Sequence, residues 1–395
     1  MSQNRFKNME TAVIHTGYDS QQHSGSLTPP IYQTSTFTFE TAEQGENRFA
    51  GNEDGYIYSR LGNPTVKVLE ERIAALEEGE RGLAFGSGMA AVSAILLALT
   101  KSGDHIICTQ GLYGCTFGLL QMMKNKYKIS HDFSVMDTEE SIEKYITPET
   151  TCIYVETPIN PTMKLIDLEM VVKIAKKHNL QVVVDNTFCS PYLQKPLTLG
   201  CDFVIHSATK YICGHGDVVA GLAVGRKEIM DEISMTTQKD IGGIISPFDA
   251  WLLIRGMKTL PIRMDRHSEN TEKIAELLKT HPIIEEIFYP GDKTNPQFAI
   301  MEKQMKKPGG MISFTIKGEK REAQKLMNQL RLIKIAVSLG DAETLIEHPA
   351  TMTHAVIPED SRKEMGITDT MLRLSIGLEA WEDIWEDLKQ ALDSI

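Results

Sequence analysis

The sequence has no long hydrophobic run. Its longest apolar stretch, Met89 to Leu99, contains Ser93 and is shorter than the ~20 residues that a membrane-crossing helix requires. No membrane span is therefore expected. The amino-terminal Met1-Ser2-Gln3-Asn4-Arg5-Phe6 lacks an apolar segment behind a basic patch, so no secretory signal is expected either. Cysteine is scarce. The six are Cys108, Cys115, Cys152, Cys189, Cys201 and Cys213, with no CxxC pair and no zinc-type spacing to histidine. No metal site is expected. Several of these cysteines lie in apolar strand-like runs and read as buried thiols, which suits a reducing cytoplasm. Positive charge is in deficit, with 41 Lys and Arg against 53 Asp and Glu for a formal charge of −12. Such a surface repels nucleic-acid phosphates, although a few local cations can still hold a small anion. There is no internal repeat and no low-complexity segment. With 29 Gly and 16 Pro, neither disorder nor a fibrous class is indicated.

What is present is an ordinary globular composition, 42% apolar and 24% charged. A chain of 395 residues is too long for one core, so two or three domains are expected. Residues 1–60 are polar, aromatic and Gly-rich with little periodicity, and read as an extended arm. Residues 61–255 alternate short apolar runs with amphipathic stretches. Strands are predicted at Gly82–Phe85, His105–Cys108, Cys152–Glu156, Val182–Asp185, Phe203–His206 and Ala220–Val224. Helices are predicted at Met89–Leu99, Thr116–Lys126, Glu139–Tyr145, Leu168–His178 and Lys227–Thr236. This alternation predicts an α/β domain with a mainly parallel sheet covered on both faces. Ligands of such sheets bind at the carboxyl ends of the strands. Residues 256–395 form the predicted smaller α+β domain, entered through a helical stretch from about Pro247 to Lys279 that Pro261 should kink or divide. Its strands are predicted at Ile287–Tyr289, Met311–Ile316, Ile335–Ser338 and Met371–Ile376. Its helices are Arg321–Leu330 and Trp381–Leu392.

Three segments carry chemistry. In Asp202-Phe203-Val204-Ile205-His206-Ser207-Ala208-Thr209-Lys210 a buried strand ends and a lysine follows it. A partly desolvated lysine there can form a Schiff base with a carbonyl. Ser207 and Thr209 can donate to a phosphate. Taken alone, Lys210 also suits an ordinary surface position. In Val182-Val183-Val184-Asp185 an apolar strand ends in an acid, which can pair with a protonated pyridine nitrogen. A helix cap would explain the same residue. In Phe85-Gly86-Ser87-Gly88-Met89 a strand enters a Gly-rich turn and then a helix, whose first amides form an anion site. Neither GxGxxG nor the GK[ST] of a P-loop is present, so a nucleotide reading is weak. A phosphate cradle, a pyridinium partner and a Schiff-base lysine are together what pyridoxal 5'-phosphate requires.

The chain is identified as resembling the cystathionine-metabolism branch of fold-type I pyridoxal-phosphate enzymes, whose fold is aspartate-aminotransferase-like. The likeness runs from about Thr11 to the carboxyl terminus. It is carried by Tyr56-Ile57-Tyr58-Ser59-Arg60-Leu61-Gly62-Asn63-Pro64-Thr65, Val155-Glu156-Thr157-Pro158-Ile159-Asn160-Pro161, Ser207-Ala208-Thr209-Lys210-Tyr211 and Met371-Leu372-Arg373-Leu374-Ser375-Ile376-Gly377. Within the branch, Leu112-Tyr113-Gly114-Cys115-Thr116-Phe117, Gln238-Lys239-Asp240, Val337–Leu345 and His348–His354 resemble the members that cleave methionine.

The resemblance implies that Lys210 bears the cofactor and serves as the base. Asp185 pairs with the pyridine nitrogen, and Gly88, Met89, Ser207 and Thr209 hold the phosphate. It implies that Tyr58 and Arg60 reach the phosphate of a neighbouring subunit, in a homotetramer of two catalytic dimers. Tyr113 stacks on the ring and protonates the leaving thiolate. Arg373 clamps the substrate carboxylate bidentately, with Ser338 nearby. Cys115, Lys239 and Asp240 shape methionine preference. The bland alternatives are core packing for Tyr113, an inert thiol for Cys115, a solvated pair for Lys239 and Asp240, arm packing for Tyr58 and Arg60, and an edge-strand position for Arg373. The implied reaction is α,γ-elimination of L-methionine to methanethiol, ammonia and 2-oxobutanoate. Cystathionine or homocysteine cleavage and sulfide addition to O-acetylhomoserine use the same machinery and stay open. An aminotransferase and a non-catalytic cofactor-binding protein are the other classes.

Overall fold

Runs of β-branched and apolar residues, with Val182-Val183-Val184 the clearest, supply the strands at the centre of the molecule. The structure is a computed structural model and describes residues 6–355 and 357–395. Met1–Arg5 of the amino-terminal reading lie outside the described residues. Seven strands form the larger sheet: β1 Arg81–Phe85, β2 His105–Thr109, β3 Ser130–Ser134, β4 Thr150–Glu156, β5 Gln181–Asp185, β6 Phe203–Ser207 and β7 Gly221–Gly225. Their order is β1-β7-β6-β5-β4-β2-β3. Only β7 runs antiparallel to its neighbours, and the remaining pairs are parallel. The mainly parallel sheet expected from the alternating pattern is therefore present.

Both faces are covered, as parallel sheets require. The helix Gly88–Leu99 packs Ala91, Val92, Ile95 and Leu96 on one face, against Phe85, Tyr154, Val183, Phe203 and Ile205. The helix Leu168–His178 packs Val171, Val172, Ile174 and Ala175 on the other, against Ile153, Val155, Val182 and Val184. Alternation along the strands sorts the residues. On the first face, apolar Tyr154, Val183 and Ile205 lead at the strand ends to Glu156, Asp185 and Ser207.

The smaller sheet contains β8 Ile284–Phe288, β9 Met311–Ile316, β10 Lys334–Ile335, β11 Leu345–Glu347 and β12 Met371–Ser375. Its order is β10-β11-β12-β9-β8, antiparallel except for β10 with β11. The helices Leu260–Leu278, Lys320–Gln329 and Trp381–Leu392 contribute Ile274, Leu326 and Leu388 to its core.

Several expectations need correction. The arm is not continuously extended: Met9–His15 and Ala42–Phe49 are helical. Ala12 and Val13 of the first bury beside Val68, Leu69 and Ile73. Those three belong to a helix, Pro64–Leu76, that the pattern reading omitted. Asn63 caps it by accepting from the Thr65 N–H, and Pro64 occupies its first turn. The predicted strand Ile335–Ser338 stops at Ile335, because Ser338 turns toward the site described below. The long helical stretch does divide, with Pro247–Met257 followed by Leu260–Leu278 and Pro261 in the first turn of the second.

Candidate active site

The carboxyl ends of β1, β4, β5 and β6 lie together because these strands are mutually parallel and adjacent or bridged by β7. Above them is a cavity of about 670 Å³ lined by residues of both sheets. Gly88, Met89, Tyr113, Cys115, Asp185, Ser207, Thr209, Lys210 and Arg373 all line it. Nine of the positions singled out in the sequence, spread over nearly 300 residues, thus converge on one space.

Asp185 closes β5. Its Oδ1 accepts the Thr187 N–H at 3.0 Å and its Oδ2 accepts the Tyr154 hydroxyl at 3.4 Å. Burial pushes its pKa up, against the hydrogen bonds from Thr187. No cationic side chain forms an ion pair with it among the described residues. A protonated ring nitrogen would supply the missing positive charge.

Lys210 follows β6, and its Nζ donates to Ser338 Oγ at 3.3 Å. Burial lowers its pKa and the neighbouring Arg373 charge lowers it further, while Asp341 and Glu347 oppose. A desolvated amine with a depressed pKa is the form that condenses with an aldehyde and that later accepts a proton.

The turn before the helix Gly88–Leu99 is closely packed. A Cβ on Gly88 would stand 2.9 Å from Ser207 Cβ, and one on Gly221 would collide with the Ser87 carbonyl oxygen. Side chains larger than hydrogen would push the turn away from β6 and β7. Ser87 caps the helix by accepting the Ala90 N–H at 3.0 Å. This leaves the Gly88 and Met89 amides without an acceptor among the described residues. Two free amides at a helix start, with the Ser207 hydroxyl alongside, fit a phosphate. The Thr209 hydroxyl is already engaged, donating to the Ala220 carbonyl at 3.3 Å and accepting its N–H at 3.0 Å. The donor set therefore fits pyridoxal phosphate at three points: amides for phosphate, amine for aldehyde and carboxylate for pyridinium.

The other wall carries the substrate groups. Arg373 is 2% exposed and lies on β12, which is central in its sheet, so the edge-strand alternative is excluded. Its guanidinium donates to Asn160 Oδ1 at 2.8 Å and to the Ser338 carbonyl at 3.0 Å, and pairs with Glu347 at 2.8 Å. Arg373 and Glu347 are register partners across β12 and β11. The Arg373 Nε has no partner among the described residues. Tyr113, 42% exposed, sits just before the helix Gly114–Met122. Its interaction with Cys115, then burial, pushes its phenol up to about 12. At neutral pH it holds its proton.

Ser338 meets the site through Lys210 and Arg373 without lining the cavity, and four further positions from the sequence reading lie elsewhere. Arg60 donates to the Lys239 carbonyl at 2.9 Å and stacks over the Tyr58 ring at 5.6 Å. Lys239 and Asp240 pair at 3.5 Å. None of the four lines the cavity of its own chain.

Pattern reading overlooked three residues. Glu156 closes β4 as Asp185 closes β5, in register with it. The strand-end logic applied to Asp185 would have found it. Its Oε2 accepts the Tyr113 N–H at 3.0 Å. Burial, with the Asp185 charge added, pushes its carboxyl up to about 8. Asn160 lay inside a matched segment but received no role. Glu347 sits on a three-residue strand that carries no periodic signal.

Comparison with known proteins matches the family of Cys/Met metabolism PLP-dependent enzymes over residues 10–393. The L-methionine gamma-lyase of Fusobacterium nucleatum subsp. nucleatum is 50% identical over 387 residues, covering 98% of each chain. That of Pseudomonas putida is 47% identical over 390 residues, again covering 98% of each. The crystal structure of cystathionine gamma-lyase from Lactobacillus plantarum complexed with L-serine superposes with a TM-score of 0.93 at 42% identity, covering 98% of this chain and 99% of that one.

Proposed function

The chain belongs to the Cys/Met metabolism PLP-dependent enzymes, a carbon–sulfur lyase of fold-type I, and from that membership we propose that it cleaves L-methionine to methanethiol, ammonia and 2-oxobutanoate. The observation that carries the reading is the convergence of the Lys210 amine, the Asp185 carboxylate, the Tyr113 phenol and the Arg373 guanidinium on one cavity. The identity of 47–50% to L-methionine gamma-lyases over almost the whole length supports methionine as the thioether.

When bound, pyridoxal phosphate supplies an aldehyde for the substrate amine and a ring that accepts electrons from Cα. In this reading the Gly88 and Met89 amides and the Ser207 hydroxyl hold its phosphate, Thr209 joins them once its hydroxyl turns from the Ala220 carbonyl, and Asp185 holds its ring nitrogen protonated. Arg373 takes the substrate carboxylate, and its fork fixes the amino acid in one orientation. Asn160 and Glu347 keep the guanidinium plane in place. Lys210, kept partly neutral by burial and by Arg373, removes the Cα proton, passes that proton on, and so regains the neutral amine that takes one from Cβ. Ser338, held between Lys210 and Arg373, aims the amine. Tyr113 retains its proton until sulfur departs with the bonding electrons, and then gives it to the thiolate. Cys115 beside it, with Met89, Val337, Leu339 and Met352, offers a soft, apolar lining suited to a methylthio group.

The assembly in this proposal is a homotetramer of two catalytic dimers. Tyr58 and Arg60 finish the phosphate site of a second copy, while Lys239 and Asp240 position Arg60 and shape the substrate entrance. Their place outside their own chain's cavity supports this, as do the exposed side chains of Leu27, Val219 and Phe248. A cytoplasmic location completes the reading, supported by six unpaired cysteines. Among the described residues no helix is long and apolar enough to cross a membrane.

Cystathionine is the second reading, favoured by the closely superposing cystathionine gamma-lyase. The test is kcat/KM for L-methionine, L-cystathionine, and O-acetyl-L-homoserine with sulfide, each offered separately. The proposal expects the highest value for methionine. Strong turnover of cystathionine with negligible turnover of methionine would move the function to the neighbouring lyase.

A further inference from the structure

Two walls of the cavity come from distant parts of the chain. Tyr113 and Cys115 stand at the start of Gly114–Met122, and Arg373 lies on β12 of the smaller sheet. One buried side chain is tied to both. Glu156 Oε2 accepts the Tyr113 N–H at 3.0 Å, and Oε1 accepts the Asn160 N–H at 3.4 Å. Asn160 Oδ1 in turn accepts from the Arg373 guanidinium at 2.8 Å. The backbone of Glu156 is itself fixed, its N–H donating to Thr109 Oγ1 at 2.9 Å. A rigid strand end thus holds the tyrosine segment with one carboxylate oxygen and the arginine's partner with the other.

We propose that Glu156 is a positioning residue that sets Tyr113 and Arg373 in a common register, so that the proton donor and the carboxylate clamp meet the same substrate together. This rests on the roles given above to Tyr113 and Arg373. Glutamate turns an oxygen toward each of the two N–H groups, and when ionised it accepts from both. Glutamine, with the same shape, turns an NH₂ toward one of them and leaves a buried donor unpaired. The site bears a cost for this group. It is buried with Asp185 next to it and no cation beside it among the described residues, conditions that push its carboxyl up to about 8.

The test compares Glu156→Gln with wild type, both as holoenzymes. Hydrogen–deuterium exchange is followed in segments 110–118 and 157–162. Affinity for L-norleucine, which has the amine and carboxylate but no sulfur, is measured by spectral titration. kcat and KM are measured per bound cofactor on whichever thioether the wild type cleaves fastest. The expected result is faster exchange in both segments, with norleucine affinity and kcat each reduced roughly tenfold. A change confined to one segment would overturn the inference. So would a loss of bound cofactor with kcat and KM per cofactor unchanged, which is what a merely structural role predicts. Should the glutamine variant not fold, Glu156→Asp is measured in the same way and the same outcomes support or overturn the inference, because its shorter arm cannot span both amides. If methionine is not the preferred thioether, the functional reading fails while this comparison stands, since exchange and norleucine binding do not depend on sulfur.

Discussion

Asp185 and Arg60 are both expected to hold the same cofactor, yet their surroundings differ. Asp185 stands at a buried strand end, fixed by Thr187 and Tyr154. Arg60 lies in the arm with its guanidinium on a carbonyl of Lys239, beside a Tyr58 that is 42% exposed. The inner wall is built from parallel strand ends, whose positions the sheet fixes to within a hydrogen bond. The rim is built from exposed side chains that do not reach their own chain's cavity. One chain can therefore set the electronics of the site, and under the proposed assembly a second copy completes its outer edge. This follows the general preference for placing chemistry on rigid elements and adjustment on loops.

The inner wall should be the more sensitive. Lys210→Ala should lower lyase turnover by roughly 10³-fold or more and remove the visible absorbance of the lysine-bound cofactor. Arg373→Lys should come next, lowering kcat/KM by roughly 100-fold with the cofactor absorbance intact. A point charge cannot reproduce the fork, and Glu347 would lose its paired geometry. At the rim, Arg60→Ala alone should lose less activity than either wall variant, and mixing it with Lys210→Ala chains tests where the two residues act. After mixing and subunit exchange the chains should recover up to about a quarter of wild-type activity, since one site in each mixed dimer receives both native halves. No recovery despite demonstrated exchange would place rim and wall in the same chain and break the comparison.

The smallest effect concerns stability. The raised pKa of Glu156 means that the folded chain keeps a proton between the ordinary value of 4.5 and about 8, where the unfolded chain has lost it. The resulting stabilisation is present at low pH and is lost as pH rises through about 8. Between about pH 5 and pH 8, the Tm of the wild-type apoprotein should fall a few degrees more than that of Glu156→Gln. Parallel Tm curves would show that Glu156 titrates normally.

The inner wall was also the more legible part of the sequence. Asp185 and Lys210 follow apolar runs whose ends are where parallel sheets bind ligands, and Gly86-Ser87-Gly88 marks a helix start. These signals are local. Glu347 was not legible, because it pairs with Arg373 across two strands and β11 has only three residues. β3, Ser-His-Asp-Phe-Ser, was missed because its edge position lets polar residues into a strand. The helix Pro64–Leu76 was missed although its asparagine cap and Pro64 announced it. Ser338 shows the opposite failure. Its apolar neighbours suggested a strand, but tertiary contacts to Lys210 and Arg373 drew the chain out of the sheet. The roles of the rim residues came from the resemblance alone, since no pattern within one chain reports where a second chain sits.

The most direct test of the proposed elimination is to give purified holoenzyme L-methionine with no keto-acid acceptor present, and to quantify methanethiol, ammonia and 2-oxobutanoate over many turnovers. Elimination predicts equal amounts of all three. No thiol and no 2-oxobutanoate released, with 4-methylthio-2-oxobutanoate formed only when an acceptor keto acid is added, would contradict it and make the protein an aminotransferase.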